Sequence, residues 1–197
     1  MQNERLNRQL SFLLEIDRMK QVLRQTLLSD GSRRENDAEH SWHLAMCAAV
    51  LAEYAPPGTD MGRVLAMALG HDLVEIYAGD TYAYDDAGNA TKEAREREAA
   101  DRLYALLPPE QGAYWRGLWV EFDAMETPET RWANACDRLQ PLMLNMASKG
   151  DAWVRHGTDL SRVRRRMAIL GEVSPALGAW AEAQLARAVE NGWLKDA

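Results

Sequence analysis

The chain has 197 residues, enough for one ordinary domain with a full core. Hydrophobic residues make up 47% and charged ones 27%, a globular composition that does not fit a disordered chain. The formal net charge of -7 argues against a general nucleic-acid surface, although a small anion can still bind where a metal and a few arginines gather.

Leu6, Leu10, Leu13 and Leu14 recur at helical spacing and continue to Ile16 and Met19, which predicts a first helix over roughly 3–20. A polar, turn-rich connection runs from Ser29 to Asp37. Asn36 or Asp37 then caps a second helix, with Glu39 placed three residues after Asn36 in the manner of a capping box. This helix carries His40, His43, Cys47 and Leu51 along one side and ends before Pro56-Pro57-Gly58. Asp60 caps a third helix, which holds the stretch from Ala68 to Ile76 and breaks near Gly79. Residues 79–90 read as a loop, placed to cover that stretch. Thr91 caps a charged fourth helix that ends at Pro108-Pro109, and a fifth covers about 110–126. Thr127-Pro128 opens a helix that contains Asp137 and that Pro141 is expected to kink or divide. Two further helices fit 159–171 and 175–191. No run of β-branched alternation reaches strand length, and neither a repeat nor a second domain is visible. The expected architecture is an all-α, single-domain bundle of seven or eight helices over residues 1–197.

The chemistry concentrates in one place. On a helix, His71, Asp72 and Glu75 would bring an imidazole and two carboxylates toward one volume, amid Leu69, Leu73, Val74 and Ile76. Charges in an apolar helix are costly unless compensated, and a divalent cation compensates two carboxylates. Taken alone, His71-Asp72 also reads as a surface pair, and Asp137 as the partner of Arg138 or of a neighbouring helix. Three of the four histidines, at 40, 43 and 71, fall within 32 residues. Cys47 and Cys136 read as buried thiols of a reducing compartment rather than a disulfide. No signal peptide or long apolar span is present, so a soluble cytoplasmic protein with no membrane partner is expected.

Glu39-His40-Ser41, then His71-Asp72-x-x-Glu75, then Gly79-Asp80, then Asp137 resemble the HD superfamily of metal-dependent phosphohydrolases, in its 5′-deoxynucleotidase branch. The resemblance covers about residues 6–148, and the tail after 150 adds little to it. It implies an HD-type helical bundle in which His40, His71, Asp72 and Asp137 bind one divalent cation, whether Mn, Co, Zn, Fe or Mg. Two imidazoles and two carboxylates suit such an ion. It further implies that Glu75 is the general base or acid, that Asp80 is a second acidic group near the substrate, and that Arg24 contacts phosphate. The implied substrate is a small-molecule nucleotide, a (deoxy)nucleoside 5′-monophosphate cleaved to nucleoside and phosphate. A nucleic-acid polymer is not implied, and a homodimer is.

Several alternatives stay open at this level. His43 rivals His40 as the ligand. Residues 73–136 contain no histidine, which argues for one metal rather than two. Arg33, Arg34, Lys92 and Arg95 are weaker phosphate candidates, and Trp42 or Trp132 could stack on a base or pack in the core. The chain could instead act on a nucleoside triphosphate or an alarmone, or be a silent regulatory metal-binding domain, although intact Glu75 and Asp80 argue against the last. One departure stands out. The deoxynucleotidase branch carries a tryptophan close after the phosphate-contacting arginine, which helps exclude the ribose 2′-hydroxyl. Here the stretch is Arg24-Gln25-Thr26-Leu27-Leu28, which implies a sugar pocket without that wall.

Overall fold

The computed structural model describes residues 2–196. The first amphipathic segment forms α1 (Gln2–Ile16), continued by a 3-10 turn over Asp17–Gln21. Phe12 and Met19 are buried, but Leu6, Leu10, Leu13 and Leu14 stay exposed. A hairpin then appears where no strand is expected. β1 (Leu23–Leu27) pairs antiparallel with β2 (Arg34–Asn36), Leu23 opposite Asn36 and Leu27 opposite Arg34. Both strands are short and largely polar, so alternation could not reveal them. Their connection turns at Gly31, whose φ of 72° is open to glycine without strain and whose N–H donates to the Leu28 carbonyl.

α2 (Asp37–Val50) opens with the expected capping box, in which Asn36 and Glu39 satisfy each other's backbone N–H. Asp60 caps α3 (Met61–Gly70) by accepting from the N–H groups of Gly62 and Arg63. The central stretch is not one continuous helix. α3 ends at Gly70, residues 71–74 form a turn, and α4 (Glu75–Ala78) begins at Glu75. The expected loop is also shorter, because α5 (Asp86–Tyr104) starts ahead of Thr91. Asp85 is its cap and accepts from the Gly88 N–H, so Gly88 and Asn89 lie in a first helical turn rather than a loop.

α6 (Pro109–Ala124) and α7 (Pro128–Ala147) follow as expected, but Pro141 lies inside α7 without dividing it. α8 (Asp151–His156) is an additional short helix between two glycines of positive φ, Gly150 and Gly157. α9 (Leu160–Val173) and α10 (Pro175–Glu190) are capped by Asp159 and Ser174.

The all-α bundle is therefore the fold, with one hairpin added. Leu44 of α2, Val64 and Met67 of α3, and Trp132 and Leu142 of α7 are almost fully buried in its main core. Leu170 of α9 and Leu185 of α10 extend that core. α9 and α10 cross where Gly171 meets Gly178. A second cluster, including Phe12, Val74, Leu103 and Tyr104, joins α1, the 71–74 turn and α5. Among the described residues, no helix is long and apolar enough to cross a membrane.

Candidate metal centre

The packing of α2, α3 and α7 against one another brings distant parts of the sequence to one point. His40 stands in the first turn of α2, His71 follows the last residue of α3, Asp72 is in the turn after it, and Asp137 is midway along α7. His40 Nε2 lies 3.1 Å from Asp137 Oδ1 and 3.8 Å from Asp72 Oδ2. His71 Nε2 lies 3.0 Å from Asp72 Oδ2 and 3.6 Å from Asp137 Oδ1. One donor atom each from His40, His71 and Asp72 falls within 4.8 Å of the others.

Hydrogen bonds on the far side of each ring fix the tautomers. The Nδ1–H of His40 donates to the side-chain carbonyl of Gln140 at 2.9 Å, and that of His71 to the Ala68 carbonyl at 3.0 Å. Both Nε2 lone pairs then face the carboxylates, the orientation a metal-binding imidazole needs. His71 Nε2 is buried and has no hydrogen-bond partner. An orphaned, buried nitrogen among two carboxylates and a second imidazole fits a divalent cation.

Asp72 is also held from the other side. Arg24 of β1 donates through Nη1 to Asp72 Oδ2 at 2.7 Å and to Asp37 Oδ1 at 3.3 Å, with its Nε 3.9 Å from Glu35 Oε2. The unexpected hairpin thus delivers Arg24 and Glu35 to the site. Glu75 opens α4 and is buried, with Lys92 Nζ of α5 3.9 Å from its Oε1. Asp80 lines the same cavity from the loop, and Arg166 reaches in from α9, 3.6 Å from Asp137 Oδ2. The cavity holds about 220 Å³.

The electrostatics divide the carboxylates into two groups. Burial works against ionised Asp137 and Asp72, but His40 and His71 beside the first, and His71 and Arg24 beside the second, hold both below the usual carboxylate range. Without a cation, burial opposes a charged His71, yet the two carboxylates raise it to about 10; a cation at the site would displace that proton from Nε2. Glu75 moves the other way: burial, then the charges of Asp72, Asp37 and Asp80, push it well above its ordinary value. Burial likewise raises Asp37 and Glu35 to about 7 each.

The sequence candidates therefore separate. His40, His71, Asp72, Asp137, Glu75, Asp80 and Arg24 surround one cavity or its wall, whereas His43 stands outside the cluster, its Nδ1 accepting from Gln140 at 3.0 Å. Arg33 is engaged by Glu39, Arg95 by Thr81 and the Ala78 carbonyl, Trp42 is exposed, and Trp132 is buried in the core. Asp37, Gln140, Arg138 and Arg166 were not singled out as site residues. Asp37 lies three residues before His40 and Gln140 three after Asp137, so helical spacing could have found both. Arg166 sits in an arginine-rich run with no such marker.

Residues 16–177 match the HD-domain family. The chain is 24% identical over 139 residues to the 5′-deoxynucleotidase HDDC2 of Danio rerio, covering 70% of this chain and 68% of that one. It is 25% identical over 135 residues to the human protein of that name, covering 68% and 65%. The chain thus spans about two thirds of the length of these relatives. It also superposes on the crystal structure of a "predicted metal-dependent phosphohydrolase" from Magnetospirillum magnetotacticum MS-1, with a TM-score of 0.94 and 50% identity over 98% of this chain and 97% of the other. A match over most of the chain, on a fold that gathers the histidines and aspartates of α2, α3 and α7, shows that this chain belongs to the HD-domain family.

Proposed function

We propose that this chain, a metal-dependent phosphohydrolase of the HD type, hydrolyses nucleoside 5′-monophosphates to nucleoside and phosphate. The observation that carries the reading is the meeting, in one cavity, of the His40–His71–Asp72–Asp137 set with a buried acid, Glu75, and a buried guanidinium, Arg24. Those four residues hold one cation per chain. When bound, a divalent cation supplies Lewis acidity toward a phosphoryl oxygen and toward water. Arg24 is fixed by Asp72 and Asp37 and offers its remaining donors to the phosphate. Water adds to phosphorus, the bond to the 5′-oxygen breaks and that oxygen takes a proton, while the proton the water gives up restores the acid that supplied the first. Glu75 is suited to be that acid, because burial and three neighbouring carboxylates favour its protonated form. Asp80 stands beside Glu75 in the cavity as a second acidic group. The C-terminal helices belong to the same single domain, since Trp153, Arg166 and Met167 complete the wall.

Ribonucleotides are substrates as well as deoxyribonucleotides. Gln25 and Thr26 occupy the wall after Arg24, and both side chains are smaller than the tryptophan of the deoxynucleotidase branch, which favours room for a 2′-hydroxyl. The relatives named for 5′-deoxynucleotidase activity support the nucleotide class. Two copies associate through α1, whose four exposed leucines form an apolar stripe.

A phosphate-release screen over nucleotides, with added Mn, Co, Zn, Fe or Mg, tests the reading. Turnover of monophosphates in the presence of one of these ions is the expected result, and none with any nucleotide overturns it. The dAMP to AMP ratio of kcat/KM is expected at about 10 or below. A ratio above about 100 would mean that another residue rebuilds the sugar wall.

A further inference from the structure

Hydrolysis of a monophosphate leaves a large part of the nearby positive charge without a task. A groove of about 440 Å³ runs beside the catalytic cavity, and the two share Ala83, Tyr84, Arg138 and Arg166. Arg131, Arg138, Arg162, Arg165 and Arg166 line the groove against a single carboxylate, Glu172. In a chain of net charge -7 this is a local reversal of sign. Two of the arginines are neutralised, Arg131 by Glu172 at 2.9 Å and Arg162 by Asp86 at 2.6 Å. Among the described residues Arg138 and Arg165 have no carboxylate partner, and Arg166 has a long one. Arg138 donates to the Asn134 backbone and side-chain oxygens, both at 2.9 Å, and to Met125 Sδ, which are all uncharged. Arg166 has only Asp137, at 3.6 Å, a carboxylate whose charge a bound cation would claim. Arg165 is exposed and has no carboxylate within 4.0 Å among the described residues.

Guanidiniums that carboxylates leave unpaired or only loosely paired favour an anion, and their paired donors match phosphate oxygens. The groove opens from the catalytic cavity, and Arg166 borders a ligand-set residue. The anion is therefore part of the molecule being hydrolysed. We propose that Arg138, Arg165 and Arg166 bind a second phosphoryl group of the substrate, so that nucleotides carrying a phosphate besides the one hydrolysed are preferred. This rests on the nucleotidase reading above and narrows its substrate class. The second phosphate sits either on the ribose 3′-oxygen or further along the 5′ chain, with the same chemistry toward arginine.

The test compares dAMP with deoxyadenosine 3′,5′-bisphosphate as substrates and uses dADP as a competitor of dAMP turnover. At least one doubly phosphorylated compound is expected to be favoured over dAMP by about 10–100-fold, in kcat/KM or in the inhibition constant relative to the KM of dAMP. Which one is favoured locates the second phosphate. Arg165 is exposed, so Arg165→Ala and Arg165→Glu should fold, as circular dichroism checks. The first should shrink the advantage severalfold and the second at least about tenfold, as loss of a charge-assisted contact does. No advantage for either compound, or an advantage untouched by Arg165→Glu, overturns the proposal. If dAMP itself yields no phosphate, the nucleotidase reading fails, while calorimetric Kd values of the three nucleotides on the metal-loaded protein still decide whether the groove binds a second phosphate.

Discussion

Asp72 and Glu75 lie three residues apart, yet their surroundings assign them different work. Asp72 is ionised and touches His71 and Arg24, so Asp72→Ala is expected to abolish both bound metal and activity. Metal analysis of the purified variant checks this, and near-normal stoichiometry would reject the ligand set. Glu75 touches neither imidazole among its close contacts, so Glu75→Gln should keep its metal while kcat falls about 10²–10⁴-fold. Loss of metal in that variant would make Glu75 a ligand. A third residue gives a pH test away from the centre. Burial pushes the Cys47 thiol from an ordinary value of 9.0 to about 11. Below pH 9 the thiol is neutral in both folded and unfolded chains. As pH rises from 9 toward 11, the unfolded thiol ionises first, so the folded state loses stability by up to about 1.4 kcal/mol per pH unit. Urea unfolding at pH 8, 9 and 10 should show a shallower pH dependence for Cys47→Ala than for the parent chain. Equal slopes would mean that Cys47 ionises normally in the folded protein.

Among the elements, the α9–α10 crossing offers the sharpest contrast. A Cβ on Gly178 would meet the Gly171 Cα at 2.5 Å, whereas a Cβ on Gly171 has 3.7 Å to the Gly178 Cα. Gly178→Ala should force the helices apart and cost about 1–3 kcal/mol. Gly171→Ala should be neutral or gain up to about 1 kcal/mol of helix propensity. Thermal denaturation of the two variants distinguishes them, and equal Tm values would show that the crossing is slack. Such pairing of glycines across 7 positions cannot be read from periodicity, because it depends on how two helices meet. Most helices could be read, since their apolar spacing and caps are local: the Asn36–Glu39 box, Asp60 and Thr127-Pro128 all stand where expected. What escaped depended on tertiary contact or on ambiguous turn residues. The hairpin has only two short strands, supported by Arg24 contacts to α2 and to Asp72. Asp85-Asp86-Ala87-Gly88-Asn89 has the composition of a loop and the geometry of a capped helix start. Pro141 is expected to kink or divide α7, and it does not divide it. Its missing N–H leaves the carbonyl of Asp137 out of the helical ladder, and the helix continues around it. The spaced residues of the centre are visible in sequence because family spacing marks them, and Gln140 is within reach of helical spacing from Asp137, whereas Arg166 meets the centre only across packed helices.

For the whole molecule, the distribution of apolar surface bears on assembly. The core is closed around α2, α3 and α7, but α1 leaves Leu6, Leu10, Leu13 and Leu14 in solvent, Leu14 at 77% exposure. Sedimentation is expected to give twice the mass of the chain, and Leu10→Glu combined with Leu14→Glu should shift it to one. A monomeric parent chain would remove the role proposed for α1. Because the centre lies at the meeting of α2, α3 and α7 rather than on α1, the monomeric variant should retain its metal.

The cavity also has an order in time. His40, His71, Asp72 and Asp137 are all translated before Trp153, Arg166 and Met167, the residues that close the wall. At about 5–20 residues per second, roughly 2–6 s separate the synthesis of Asp137 from that of Met167. During synthesis, then, the chain possesses its four proposed ligands before it has a chamber. A cation can be captured by an open cleft, while a nucleotide finds its complete enclosure only once the C-terminal quarter has been made. The order of residues along the message thus lets loading come before enclosure.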